Sequence, residues 1–161
     1  MALSGKAAAR NDVGMADTVT GRRIVVGIDG SQPSRLALQW ATRQAELTGA
    51  TVDAIHAWDM PPINDPALVV VMPDDLKNAA ERVVADTILE VAGAHPAVPV
   101  RGRAVQGYPA TVLIRAAQDA DLLVVGSRGH GGFVGALLGS VSQNCVHHAT
   151  CPVVVIRGQH E

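Results

Sequence analysis

Five short apolar runs, separated by longer segments with helical spacing, constrain the fold of this chain more than any other feature. The strands predicted from them cover residues 24–28, 51–58, 98–107, 121–126 and 152–156. Several of these runs are apolar at almost every position, as in strands that are covered on both faces. Strict alternation of such strands with helices predicts an α/β fold, a single open and mostly parallel sheet with helices on both faces.

Four helices are predicted between these strands. Gly49 and Gly93 follow the first two, at the position where a helix end favours glycine. The third strand contains Pro99 and Gly102, which favour the edge of a sheet. The expected helix bounds are from Ser31 or Pro33 to Leu47, about 74–92, from Pro109 onward, and 140–148.

The chain of 161 residues is long enough for one domain with a sizeable core. Residues 1–21 lack apolar periodicity and are rich in small and polar types, so we expect a flexible tail there. Residues 22–161 form the single predicted domain. Met15 is an alternative start that the sequence does not decide.

Charge and composition exclude several function classes. The formal net charge is -2, aromatic residues make up 2% of the chain, and the arginines are scattered. No nucleic-acid partner is expected, because such a partner needs a basic face or a stacking platform. No membrane partner is expected either, because no apolar run approaches the roughly 20 residues that cross a bilayer. Cys145 and Cys151 lack metal-ligand spacing and follow no secretory segment, so they predict reduced thiols in a cytoplasmic protein.

The segment VVGSRGHGGFVGALLGSVSQN follows the fourth strand and contains six glycines. Ligands of parallel sheets sit beyond the carboxyl ends of the strands, which is where this segment begins. Gly126 permits a sharp turn, and Gly129 lets the backbone pass close to a bound group. The next helix opens at Gly139 and Ser140, and its first amides attract anions. Glycine content alone fits either a flexible connector or an anion site, but the position and the helix start favour the anion site.

Ser140 would either cap this helix or donate its hydroxyl to a phosphate oxygen. The segment is not a Walker loop, since GxxxxGK[ST] is absent and no lysine is near, and it lacks the GxGxxG spacing. As G-S-R-G, nine residues and then G-S, it resembles the nucleotide-binding signature of the universal stress protein family. IVVGIDGSQPSRLALQWA, TVDAIHAW and the C-terminal half are also similar to that family, over about residues 23–157. The resemblance implies a Rossmann-like sheet of strand order 3-2-1-4-5 and, because the glycines are retained, the ATP-binding subgroup.

The resemblance also implies bound ATP with Mg²⁺ and assigns residues to it. Asp29 would contact the ribose or the metal–phosphate region, and the Ala57 backbone would contact the adenine edge. Gly27 and Val125 would line the adenosine pocket. Arg128 occupies a variable position and either reaches a phosphate or is a solvated surface side chain. The phosphates would be held by Gly126, Gly129, Gly139, Ser140, Val141 and Ser142. No residue is assigned to catalysis or to direct metal binding.

Other positions leave alternatives open. Asp29 directly follows an apolar strand and is either a cap for the next helix or a ligand group. His130 lies in the glycine segment, where its charge would tune phosphate affinity with pH. His147 and His148 are adjacent on a helix and point to different sides, so they are not expected to share a metal. The loop 59–73 is a local packing segment, a lid over the nucleotide or a contact with a partner subunit.

The apolar last strand, residues 152–156, is expected at a sheet edge, which invites pairing with another copy. Family members dimerise through this strand, so the resemblance implies a two-fold homodimer. The function that it implies is that of an ATP-binding, nucleotide-dependent stress sensor or regulator. One alternative is a slow ATPase or phosphotransferase, against which stand the missing lysine and the lack of a general base beside Asp29. Another is an interaction module with an empty nucleotide site.

Overall fold

The structure is a computed structural model, and it describes residues 21–60, 72–130 and 137–158. Within these ranges five strands alternate with four helices. The strands are β1 (Arg23–Gly27), β2 (Thr51–Trp58), β3 (Val100–Gln106), β4 (Leu122–Gly126) and β5 (Val153–Ile156). The helices are α1 (Gln32–Thr48), α2 (Pro73–Ala92), α3 (Pro109–Ala116) and α4 (Ser140–His148). None of these helices is long and apolar enough to cross a membrane. The predicted tail, except for residue 21, and most of the loop 59–73 lie outside the described residues.

All five strands pair in parallel, in the order β3-β2-β1-β4-β5. This confirms the predicted α/β class and the strand order. The predicted edge positions of β3 and β5 are confirmed as well. The strand β1 is central, with Val26 opposite Ala54 on one side and Val124 on the other. Connections leave β1 and β4 toward opposite sides of the sheet, so a crevice forms at their carboxyl ends.

The core has two layers, one on each face of the sheet. The helices α1 and α2 cover one face, where Leu38 is fully buried. The helices α3 and α4 cover the other face, where Cys145 is fully buried. Successive residues of β1, Val25 and Val26, are both fully buried but belong to opposite layers. This double burial explains why the strands are apolar throughout rather than alternating.

Local sequence accounts for the helix ends. Ser31 is the N-cap of α1, and its hydroxyl accepts a hydrogen bond of 3.4 Å from the Ser34 amide. Gly49 ends the helix in the left-handed region, at φ 69°. Pro73 and Pro109 are the first residues of α2 and α3, where proline loses no helical hydrogen bond. The strand β3 is shorter than the predicted 98–107.

Candidate functional site

A cleft of about 270 Å³ opens at the carboxyl ends of the central strands, between the starts of α3 and α4. Four separate parts of the chain meet there. All eleven residues that the sequence analysis assigned to nucleotide binding line this cleft: Gly27, Asp29, Ala57, Val125, Gly126, Arg128, Gly129, Gly139, Ser140, Val141 and Ser142. The glycines Gly131, Gly132 and Gly135 lie outside the described residues.

Seven further residues line the cleft, and the sequence analysis gave a role at the site to His130 alone among them. They are Ile28, Ser34, Ile55, His56, Pro109, Leu113 and His130. The position of Pro109 was a usable signal, because the helix after β3 begins at the same edge of the sheet as the glycine segment. Ile55 and Leu113 belong to the same core layer, and no sequence motif marks their packing beside the cleft.

One wall of the cleft is apolar. Ile55, Leu113 and Val125 line it and are almost fully buried. Gly27 lies against this wall, and a Cβ placed there would come within 2.7 Å of Leu113 Cδ1. A side chain at residue 27 would therefore displace Leu113 into the cleft. An apolar wall that a glycine keeps open suits a flat, largely apolar group.

The start of α4 forms the polar side of the cleft. Gly139 is the N-cap residue, with extended φ and ψ of -75° and 166°, and no side chain caps the helix within the described residues. Ser140 is therefore the first helical residue, and of the two alternatives for its hydroxyl the cap of α4 is wrong. The Ser142 hydroxyl lies 2.9 Å from both Ser127 O and Gly139 O. The first backbone amides of α4 therefore lack partners within the helix and carry positive partial charge beside the cleft.

The Asp29 carboxylate connects the start of α1 to the glycine segment. Its Oδ1 accepts hydrogen bonds from the Ser31 amide at 2.9 Å and from the Ser31 hydroxyl. Its Oδ2 accepts a longer bond of 3.3 Å from the His130 amide. The His130 Nε2 lies 3.1 Å from the Asp29 carbonyl oxygen. Because a carbonyl oxygen only accepts, this Nε2 must carry a hydrogen.

These contacts determine the charge state of Asp29. Burial alone would raise the pKa of its carboxyl, since it disfavours the charged form. Hydrogen bonds from Ser31 and Ser34 and the charge of His130 outweigh burial, so the pKa of Asp29 lies below its ordinary value. Asp29 is therefore ionised at neutral pH. Oδ1 already accepts two hydrogen bonds, whereas Oδ2 accepts one and can accept another, which leaves room for a ligand hydroxyl.

Three glycines were predicted to let the backbone come close to the phosphates, and their surroundings differ. They are Gly126, Gly129 and Gly139. A Cβ on Gly126 would lie 2.9 Å from the carbonyl carbon of Pro33, so the packing of α1 already requires glycine there. A Cβ on Gly129 would lie 2.5 Å from Asp29 Oδ2. A Cβ on Gly139 would meet its nearest atoms at an ordinary 3.5 Å. Protein packing thus explains Gly126 and Gly129, whereas it does not require Gly139.

Within the described ranges no group of three or more His, Cys, Asp or Glu side chains is placed to hold a metal ion. His148 Nδ1 lies 3.0 Å from the Asn144 carbonyl oxygen, one helical turn earlier in α4. Cys145 and Cys151 are free thiols. Burial raises the pKa of the Cys145 thiol to about 11, so that it is not an activated nucleophile at neutral pH.

The model of the universal stress protein family matches residues 21–157 of this chain. A universal stress protein of Mycobacterium tuberculosis is 40% identical over 137 residues, which are 83% of this chain and 43% of the relative. This chain therefore spans less than half the length of the curated relative that it matches.

Solved structures are similar as well. The universal stress protein UspA of Lactobacillus plantarum has a TM-score of 0.72 and 26% identity, over 84% of this chain and 97% of that chain. A universal stress protein in complex with cAMP has a TM-score of 0.64 and 27% identity, over 86% of this chain and 98% of that chain. Each similarity thus covers more than four fifths of this chain.

Proposed function

Because the chain belongs to the universal stress protein family, we propose that it binds ATP in this cleft and acts as a nucleotide-dependent stress sensor or regulator. One observation carries the proposal: the uncapped start of α4 and an apolar wall line the same cleft. An adenine nucleotide has a flat base and an anionic tail, which match these two sides. The related structure with cAMP supports an adenine nucleotide as the ligand class.

In the proposed complex the base lies against Ile55, Leu113 and Val125. The Ala57 backbone contacts the edge of the base. The phosphates lie against the amides at the start of α4 and against Gly129. Arg128 is half-buried beside both and adds a cation. Mg²⁺ would accompany the phosphates and neutralise part of their charge.

We propose regulation rather than hydrolysis. A general base at neutral pH needs a pKa close to the working pH, and the pKa of Asp29 is shifted in the opposite direction. The carboxylate also holds Ser31 and His130 through hydrogen bonds. A nucleotide that contacts Asp29 or Gly129 would favour one arrangement of the glycine segment, and this differential affinity would transmit binding to a partner surface.

The proposed assembly is a homodimer through the C-terminal strand, residues 152–156, in the cytoplasm. The strand β5 is a sheet edge, so its outer backbone groups are available for pairing with a second copy. The two free cysteines are in keeping with a reducing compartment.

Proline at residue 140 provides the sharpest test. Ser140 is the first residue of α4, where proline is tolerated, and Gly139 before it already has the extended backbone that proline demands. Ser140→Pro removes one amide hydrogen and the hydroxyl, whereas the matched control Ser140→Ala removes the hydroxyl alone. Calorimetric titrations with ATP, AMP and adenosine would be compared for both variants and the wild type.

We expect ATP and AMP to bind Ser140→Pro about tenfold more weakly than Ser140→Ala, the effect of losing one charge-assisted hydrogen bond. Adenosine should bind both variants equally. Circular dichroism and thermal unfolding check that both variants keep the fold. If the wild-type protein binds no nucleotide, the proposed function is wrong, and an interaction module with an empty nucleotide site is the better description.

A further inference from the structure

A second cavity lies beside the glycine segment, between the start of α1 and the end of β5. Its volume is about 160 Å³. Arg128 and Arg157 line it, together with Gln32, Pro33, Ser127 and Gly158. Arg128 also lines the nucleotide cleft, so this residue is shared by the two cavities.

The charge of this cavity is not balanced. No Asp or Glu is among its lining residues in the described part of the chain. Neither Arg128 nor Arg157 belongs to an ion pair formed by described residues. Two arginines thus line one small cavity, and an oxyanion bound between them would balance their positive charge.

The backbone beneath these arginines is fixed by hydrogen bonds. The Ser127 amide donates to Ile156 O at 2.7 Å, which joins the chain before Arg128 to the chain before Arg157. Ser127 O accepts from the Gly139 amide, also at 2.7 Å. The two arginines therefore extend from backbone segments that are hydrogen-bonded to each other.

The start of α1 supplies little of the positive charge. Pro33 has no amide hydrogen, and the Ser34 amide already donates to the Ser31 hydroxyl. The two arginines are the charged groups that line this cavity. Their planar donor groups match the oxygens of a phosphate better than those of a halide ion.

We propose that Arg128 and Arg157 form a phosphate-binding subsite on the side of the glycine segment away from the apolar wall. The phosphate group has two possible sources. One is the terminal phosphoryl group of the nucleotide in the cleft, which would extend past Arg128 toward Arg157. This source rests on the proposed function. The other is free inorganic phosphate, which needs no nucleotide.

The test uses the full chain and the variant Arg157→Gln, which removes the charge and keeps a polar side chain. Arg43→Gln is the matched control, since Arg43 is an exposed arginine of α1 that lines neither cavity. In one arm inorganic phosphate is titrated in chloride buffer, and the arginine Nε–H signals are followed by NMR. In the other arm ATP and AMP are titrated by calorimetry.

If free phosphate is the source, inorganic phosphate should bind the wild type, and Arg157→Gln should bind it about tenfold more weakly. The nucleotide as the source predicts about tenfold weaker binding of ATP to Arg157→Gln, with the affinity for AMP changed less than about twofold. Equal behaviour of Arg157→Gln and Arg43→Gln in both arms would overturn the subsite. If wild type binds no nucleotide, the proposed function fails and the phosphate arm alone decides the subsite.

Discussion

At the scale of single residues, Asp29 joins parts of the chain that are far apart in sequence. The residue follows β1, yet its carboxylate accepts from the amide of His130 as well as from Ser31. Gly129 lies so close to Oδ2 that no Cβ fits between them. The carboxylate therefore positions the glycine segment over the cleft, a role distinct from the cap and the ligand group that the sequence left open.

The lowered pKa of Asp29 makes its contribution to stability depend on pH. A carboxyl with a lower pKa in the folded state stabilises the fold above its ordinary value of 3.8, and this contribution is lost as the pH falls through the folded pKa. We expect Asp29→Asn to be less stable than wild type at neutral pH and the difference to shrink well below pH 3.8. Urea unfolding across this range measures it. The control Asp119→Asn removes a carboxylate from an exposed turn and serves as the reference for a surface substitution.

The glycines show what a sequence motif can and cannot predict. The signature located the cleft, because strand ends in a parallel sheet converge on one edge. It did not reveal that Gly126 packs against Pro33 or that Gly129 packs against Asp29, since these contacts depend on how α1 docks on the sheet. A motif shows at which positions the backbone carries no side chain. Only the packing shows which neighbouring atoms require glycine at those positions.

At the scale of elements, a polar cluster joins the three strands on the β3 side of the sheet. Asp53 Oδ2 of β2 lies 3.0 Å from Arg23 of β1 and 3.6 Å from Arg103 of β3. Arg23 also donates to the Ala116 carbonyl oxygen of α3 at 3.0 Å. The arginines look scattered in the sequence because only the strand register brings two of them to one carboxylate.

Removing Asp53 should destabilise the fold without affecting the cleft, because no member of the cluster lines it. Asp53 is buried and its loss leaves Arg23 without its charged partner, so we expect Asp53→Ala to lower the free energy of unfolding by about 2 kcal/mol. Glu81→Ala is the matched control: it breaks an exposed pair with Lys77 and should cost less than about 1 kcal/mol. A loss no larger in Asp53→Ala than in this control would contradict the prediction, and calorimetry should show unchanged nucleotide affinity.

The elements themselves were predictable because their ends carry strong local signals. Ser31, Pro109 and Gly49 each have a backbone preference that a helix end satisfies, whatever the tertiary context. The start of α4 was harder to predict, since Gly139 and Ser140 both fit an N-cap. The glycine takes that position, which leaves the first amides of α4 without a side-chain cap and open to a ligand.

At the scale of the whole molecule, the alternation of buried strands and helices was sufficient to predict a parallel sheet with helices on both faces. Right-handed crossovers then restrict how the strands connect, so the fold class follows from few residues. The presence of a partner copy does not follow from the sequence in the same way. A sheet edge shows only that pairing is possible, and a second copy has to be tested by experiment.

The outer edge of β5 has a definite set of available groups. The carbonyl oxygens of Pro152 and Ile156 accept from β4, at 3.0 Å from Leu123 N and 2.7 Å from Ser127 N. Main-chain groups alternate along a strand, so those of Val153 and Val155 point away from β4. No other strand of the described residues pairs with that side. Pairing with a second copy would therefore use the amide of Val155.

Val155→Pro removes this outward amide and leaves the bonds to β4 in place, since proline is tolerated where the amide faces away from the sheet. We expect wild type to be a dimer in light scattering and Val155→Pro to be a monomer that keeps its far-ultraviolet circular dichroism. Val155→Ala shortens the same side chain but retains the amide, so it should remain dimeric. A dimeric Val155→Pro would place the contact elsewhere, and a monomeric wild type at micromolar concentration would refute the dimer. Ser127 lies between Gly126 and Arg128, which line the cleft, and its amide donates to Ile156 O. A dimer through this edge would therefore also connect the two nucleotide sites through a short hydrogen-bonded path.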